Sequence, residues 1–217
     1  MKKNFTQLVF ILDMSGSMSG LTDDTIGGFN TLIREQKEAK GDAIVTTVLF
    51  NDEYRMIHDG VDINEVAEMT YKDYRPISTT ALLDAVGNTI NHVGGKLAEM
   101  NEDERPDKVM VTIVTDGYEN ASKEFSQPKV KEMIEHQRSK YNWIFSFIGA
   151  NMDAVHVAQK YGIDPRFSRT YTATDVGTRS VYTAMSAMYS QTRDTSAADL
   201  RNVTTLDSLS SNLDEVR

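Results

Sequence analysis

The stretch Leu8-Val9-Phe10-Ile11-Leu12-Asp13-Met14-Ser15-Gly16-Ser17 decides how this chain folds. Its first five residues are apolar without alternation. Such a run covers both faces of a strand, as in the parallel strands of α/β sheets. Asp13 stops the run, and Asp13, Ser15 and Ser17 then recur at alternate positions. Alternate residues leaving a strand project to one side, so a carboxylate and two hydroxyls can converge on a point. In open α/β sheets, the carboxyl edge of the strands is where ligands bind. Hard oxygen donors of this kind suit Mg²⁺, with Mn²⁺ or Ca²⁺ as further candidates, rather than zinc. Three donors are too few for a full coordination sphere, so the rest must come from neighbouring loops.

Working outward, residues 43–50, 109–115 and 143–150 share the character of 8–12: short, apolar and rich in Val, Ile and Phe. Helical stripes alternate with them. Ile26, Phe29, Leu32 and Ile33 form one; Leu82, Val86, Ile90, Val93 and Leu97 form a longer one; Val130, Met133 and Ile134 form a third; Ala154, Val157, Ala158 and Tyr161 form a fourth. Alternation of strand and helix predicts an α/β fold with a mostly parallel sheet. Asn51-Asp52 is turn chemistry, so residues 53–58 should fold back as an antiparallel edge strand. A short helix is expected near 64–69, a sixth strand over 167–171 and a last helix near Val176–Tyr189. We divide the chain into a domain over 1–193 and a polar tail over 194–217. In the tail, Leu200, Val203, Leu206, Leu209, Leu213 and Val216 recur at helical spacing.

Two further oxygen donors fall where this topology requires them. Thr80 is expected to open the helix over 80–97, and Asp116 ends the strand 109–115 within Thr115-Asp116-Gly117. If the strand ending at Thr115 lies beside the first strand, all three loops meet. Met18 and Tyr118 are expected to form an apolar lip around them, with Asn120 on the rim. The opposing expectation is that Ser15 and Ser17 merely cap the next helix while Asp13 and Asp116 serve as turn residues.

The pattern D-x-S-x-S, then T-x-x-x-D-A, then T-D-G resembles the von Willebrand factor A domain with its metal-ion-dependent adhesion site, over residues 5–193. In particular it is similar to small bacterial stand-alone members, including those linked to tellurite-resistance-type stress operons. The resemblance implies a Rossmann-like three-layer sandwich with sheet order 3-2-1-4-5-6 and strand 3 antiparallel. It implies that Ser15, Ser17 and Thr80 bind the metal directly, and that Asp13 and Asp116 bind it directly or through water. It also implies a non-enzymatic adaptor or scaffold whose cation accepts an Asp or Glu of a protein partner, such as an AAA-type ATPase, kinase or phosphatase system. The sequence departs from the pattern at Thr79, where many relatives have Gly. No carboxylate closely follows Ser17, so a single ion is expected.

Composition narrows the alternatives. Lys and Arg number 23 against 32 Asp and Glu, a formal charge of −9, which disfavours a phosphate backbone as partner. The absence of Cys removes disulfides, thiolate metal sites and cysteine nucleophiles. No apolar run reaches the roughly 20 residues of a membrane span. Lys2-Lys3 before a five-residue apolar run falls short of a signal peptide, so a cytoplasmic location is expected. A metal-assisted phosphatase or hydrolase is the alternative function, but Ser15 stands where a D-x-D phosphatase would carry its second Asp, and no nucleophile elbow or phosphate loop occurs. A metal-independent scaffold is the third reading.

Overall fold

The structure is a computed structural model that describes residues 1–196. In chain order the elements are β1 (Lys2–Asp13), α1 (Thr22–Lys37), β2 (Asp42–Phe50), β3 (Tyr54–Asp62), α2 (Leu82–Glu99), β4 (Pro106–Thr115), α3 (Gln127–Tyr141), β5 (Ile144–Ala150), α4 (Ala154–Lys160), β6 (Ser168–Tyr171) and α5 (Asp175–Asp194). They form a six-stranded sheet in the order β3-β2-β1-β4-β5-β6. Only β3 runs antiparallel, against β2. This is the expected Rossmann-like architecture.

The uninterrupted apolar runs bury both sheet faces. Leu8, Phe10 and Leu12 of β1 face a core shared with α1 and α5. Val9 and Ile11 face the opposite core, under α2, α3 and α4. Local chemistry sets the helix ends. Asp23 and Asp24 lie in the first turn of α1 and Arg34 and Lys37 in its last, matching the helix dipole. Ser126 caps α3 by accepting from Lys129 N, and Asn142 ends it in the left-handed region at φ 56°. Asp153 caps α4 by accepting from His156 N, as turn chemistry after a parallel strand predicts.

The structure amends several boundaries. The edge strand β3 runs on to Asp62, beyond the expected 53–58. The short helix expected near 64–69 is only a 3₁₀ turn over Ile63–Glu65. Thr80 does not open α2: the helix starts at Leu82, with Ala81 at its cap position and Thr80 in the preceding loop. The last helix extends through Asp194, across the expected domain boundary. The tail's apolar positions from Leu200 onward lie outside the described residues. Among the described residues, no helix is long and apolar enough to cross a membrane.

Candidate metal centre

Register places the site. Leu12 of β1 pairs with Val114 of β4, so Asp13 and Thr115 emerge side by side at the carboxyl edge. Asp13 is completely buried and Ser15 is 1% exposed, whereas Ser17 is exposed and Asp116 half-buried, so the cluster opens to solvent on one side. Asp13 Oδ1 accepts from Ser15 N at 2.7 Å, and its Oδ2 accepts from Thr115 Oγ1 at 2.5 Å. Ser15 Oγ and Ser17 Oγ are 3.1 Å apart, and Ser17 Oγ donates to Asp116 Oδ1 at 2.5 Å. Thr80, 3% exposed, closes the group from a third loop.

Gly117 shows how tightly these oxygens gather. A methyl group built on it would lie 3.1 Å from Thr80 Oγ1, 3.4 Å from Ser17 Oγ and 3.8 Å from Asp13 Oδ2. Two segments far apart in sequence thus aim oxygens at one atom-sized hollow beside a third, and a side chain at Gly117 would fill it.

The supporting loops are laced by backbone hydrogen bonds. Gly16 N donates to Ser78 O, Ile77 N to Met14 O, and Met14 N to Phe50 O. Ser78 adopts φ 70°, in the left-handed region that costs a non-glycine residue conformational energy. Its carbonyl is thereby held on Gly16. Asn51 does more than turn a hairpin: its Nδ2 donates to Ile77 O, and its carbonyl accepts from Ala81 N. Tyr74, buried, donates its hydroxyl to Asp13 O at 2.5 Å.

Electrostatics favour a cation. Burial raises the Asp13 carboxyl above its ordinary range, hydrogen bonds from Thr115 and Ser15 pull it back in part, and the charge of Asp116 adds to the rise. Burial likewise raises Asp116, against the hydrogen bond from Ser17. Two carboxylates that burial disfavours as anions share one hollow, and a divalent ion relieves both penalties. The donor set fits such an ion. All donors are oxygens, and the 3.1 Å between the serine hydroxyls matches the edge of about 3 Å in an octahedron with bonds near 2.1 Å. Among the described residues, no three His, Cys, Asp or Glu side chains cluster as a metal site, so the hydroxyls are indispensable to it.

The capping alternative fails at Ser15: it sits at the N-cap position of the 3₁₀ helix Gly16–Leu21, but its side chain makes no capping hydrogen bond. Met18 requires a correction. It is completely buried in the α1–α5 core, not on a lip, because the 3₁₀ turn rotates it beneath the site. Tyr118 is 64% exposed, and Ile77, absent from the sequence-based rim, is 65% exposed on the Thr80 loop. Asn120 is exposed but pairs with Thr80: its Oδ1 accepts from Thr80 N at 2.9 Å and its own N donates to Thr80 O at 3.1 Å. The sequence reading missed Thr115 and Tyr74. A threonine closing a largely apolar run beside Asp116 was the available signal for the first; Tyr74 has none, lying in a mixed loop.

No protein-family model matches the sequence, and no curated protein matches it. Solved structures do. A von Willebrand factor type A protein from Catenulispora acidiphila superposes with TM-score 0.57 and 13% identity, over 88% of this chain and 43% of that one. Proximal thread matrix protein 1 of the mussel byssus, with a zinc-occupied MIDAS motif, gives TM-score 0.59 and 13% identity over 88% and 47%. The manganese-loaded TRAP protein of Plasmodium vivax gives 0.57 and 18% over 81% and 72%. This chain spans less than half the length of the first two. Sheet order, the antiparallel third strand and these superpositions agree: the chain has the fold of von Willebrand factor A domains.

Proposed function

We propose that the chain is a metal-dependent protein-binding module without catalytic activity. Ser15, Ser17 and Thr80 would hold a divalent cation, Mg²⁺ in the first instance, with Asp13 and Asp116 binding directly or through water. The observation that carries this reading is the gathering of Thr80, Ser17 and Asp13 oxygens around the hollow at Gly117. When bound, the ion supplies a local positive charge able to accept a carboxylate on an otherwise acidic protein. Ser17 and Asp116 leave the site open to solvent, and on the loops that carry Asp116 and Thr80 lie the exposed Tyr118 and Ile77. Those two residues would flank the incoming Asp or Glu side chain of a protein partner. An AAA-type ATPase, kinase or phosphatase assembly in the cytoplasm is the partner class we favour, by analogy with bacterial proteins of this fold.

The test is thermal unfolding in Mg²⁺ or Mn²⁺ against EDTA. The metal should raise Tm by mass action on the folded state, and Asp13→Ala should abolish the rise. An equal rise in Asp13→Ala would place the ion elsewhere. Metal-dependent turnover of a phosphate ester, lost in Ser15→Ala, would overturn the non-enzymatic reading.

A further inference from the structure

Two carboxylates near the site face away from the hollow. Asp84 lies in the first turn of α2, where an acidic residue ordinarily answers its own helix's free N–H groups. Here it reaches across to another segment. Asp84 Oδ2 accepts from Lys123 N at 2.7 Å, and its Oδ1 accepts from Glu124 N and Phe125 N, each at 2.9 Å. The free N–H groups of α2 are met in return by that same segment. Leu83 N donates to Glu119 Oε2 at 2.9 Å and Asp84 N to Ser122 Oγ at 3.1 Å. Glu119 also organises its own loop, its Oε1 accepting from Ala121 N at 2.9 Å and Ser122 N at 2.7 Å. This exchange is a capping box made between two segments instead of within one. The Phe125 ring closes it from behind, where a Cβ on Gly87 would come within 2.6 Å of the ring.

The clamp has a defined place. Thr80 is four residues before Asp84, and Asp116 is three before Glu119. The two-way pairing of Asn120 with the Thr80 backbone lies between them. The clamp therefore joins the loop that carries Thr80 to the loop that carries Asp116, over the gap their oxygens share. The other ties of the Thr80 loop run to Met14, Gly16 and Asn51, so the Asn120 pair and this clamp are what join it to the Asp116 loop, and donors held in position bind an ion more tightly.

We infer that Asp84 and Glu119 are positioning residues for the metal centre, setting its affinity by locking the Thr80 loop to the Asp116 loop without touching the ion. This rests on the metal-binding reading above.

The experiment titrates Mn²⁺ alone into the full chain and into Asp84→Asn and Glu119→Gln, beside amide hydrogen exchange in EDTA. Wild type should bind Mn²⁺. Both variants should bind it at least tenfold more weakly, the range typical of residues that orient metal ligands. Exchange should quicken at residues 121–125 while β1 and β4 stay protected, which a general loss of stability would not produce. Asp84→Glu, which keeps the charge, should regain part of the lost affinity. Variant affinities within twofold of wild type would overturn the inference while leaving the metal site standing. Absence of Mn²⁺ binding by wild type would remove the metal-binding reading, and the positioning role with it. If Asp84→Asn does not fold, Glu119→Gln decides; if neither folds, the residues serve the fold and the inference falls.

Discussion

The two edges of the sheet treat buried charge in opposite ways. At the amino edge, Lys108 and Arg193 are each 2% exposed. Lys108 Nζ donates to the carbonyls of Thr192, Arg193 and Thr195, at 3.3, 2.8 and 2.7 Å. Arg193 donates to the carbonyls of Gln36, Ala39 and Gly41 and to Gln36 Oε1. These cations neutralise the free carbonyls where α1 and α5 end, and almost every donor is used; Arg193 Nε finds no partner. At the carboxyl edge, Asp13 and Asp116 are held by a few hydroxyl and amide donors and raised by burial, in a cluster that Ser17 and Asp116 open to solvent. A buried charge with nearly complete partners is a fastening, whereas carboxylates raised by burial within a solvent-facing cluster of oxygen donors make a candidate ligand site.

The contrast can be broken at either edge. The largest effect should come from Arg193→Met, which strands three carbonyls and should cost about 3 kcal/mol of unfolding free energy. A urea transition measures it, and the Mn²⁺-dependent rise in Tm should survive. Next comes Asp13→Ala. At a metal concentration 100-fold above Kd, wild type should gain about 2.7 kcal/mol over EDTA and the variant none. In EDTA the variant should be no less stable than about 1 kcal/mol below wild type, because the lost hydrogen bonds are offset by relief of a buried charge. A loss in EDTA comparable to that of Arg193→Met would erase the distinction between the edges.

A pH titration sharpens it. Asp13 and Asp116 have folded-state pKa values above the unfolded value, so the folded protein binds more protons there. Their contribution to stability is full below the ordinary carboxylate pKa and is lost as pH rises through the raised values. Metal-free protein should therefore lose stability across this window relative to Asp13→Asn, as read by urea midpoints in EDTA. Saturating Mn²⁺ should reduce the loss, since the bound ion favours the ionised carboxylates. The smallest effect belongs to the rim: Tyr118→Ser and Ile77→Ser should leave unfolding free energy within about 0.5 kcal/mol and Mn²⁺ affinity unchanged, as both side chains are exposed. A large loss of stability would mean the rim is packed rather than available to a partner.

Legibility differed by kind of feature. The strands of the sheet were readable because both-face burial demands apolar runs without alternation, unbroken over residues 8–12 and interrupted within 109–115 only by threonine. That Asp13, Ser15, Ser17, Thr80 and Asp116 would converge was readable because each precedes or follows a recognisable element at one sheet edge. Met18 was misread because alternation was carried past the strand end into a 3₁₀ turn, where the side chain swings inward. The helix start at Leu82 was misplaced by two residues because Thr80 is held by Asn120, a contact 40 residues away that leaves no local trace.

What the sequence alone determined is therefore the class of fold and the residue types at the carboxyl edge: apolar periodicity sets the layers, and hydroxyls with two carboxylates make a donor set composed of oxygens. Only the tertiary structure decided that β4 lies against β1, that Thr115 and Tyr74 brace Asp13, and that Asp84 and Glu119 exchange partners across two segments. The reason is physical. Residue type and periodicity report what a segment needs, burial on a face or a partner for a donor. Which distant segment meets the need depends on the order in which strands pack, and that is settled across the whole sheet.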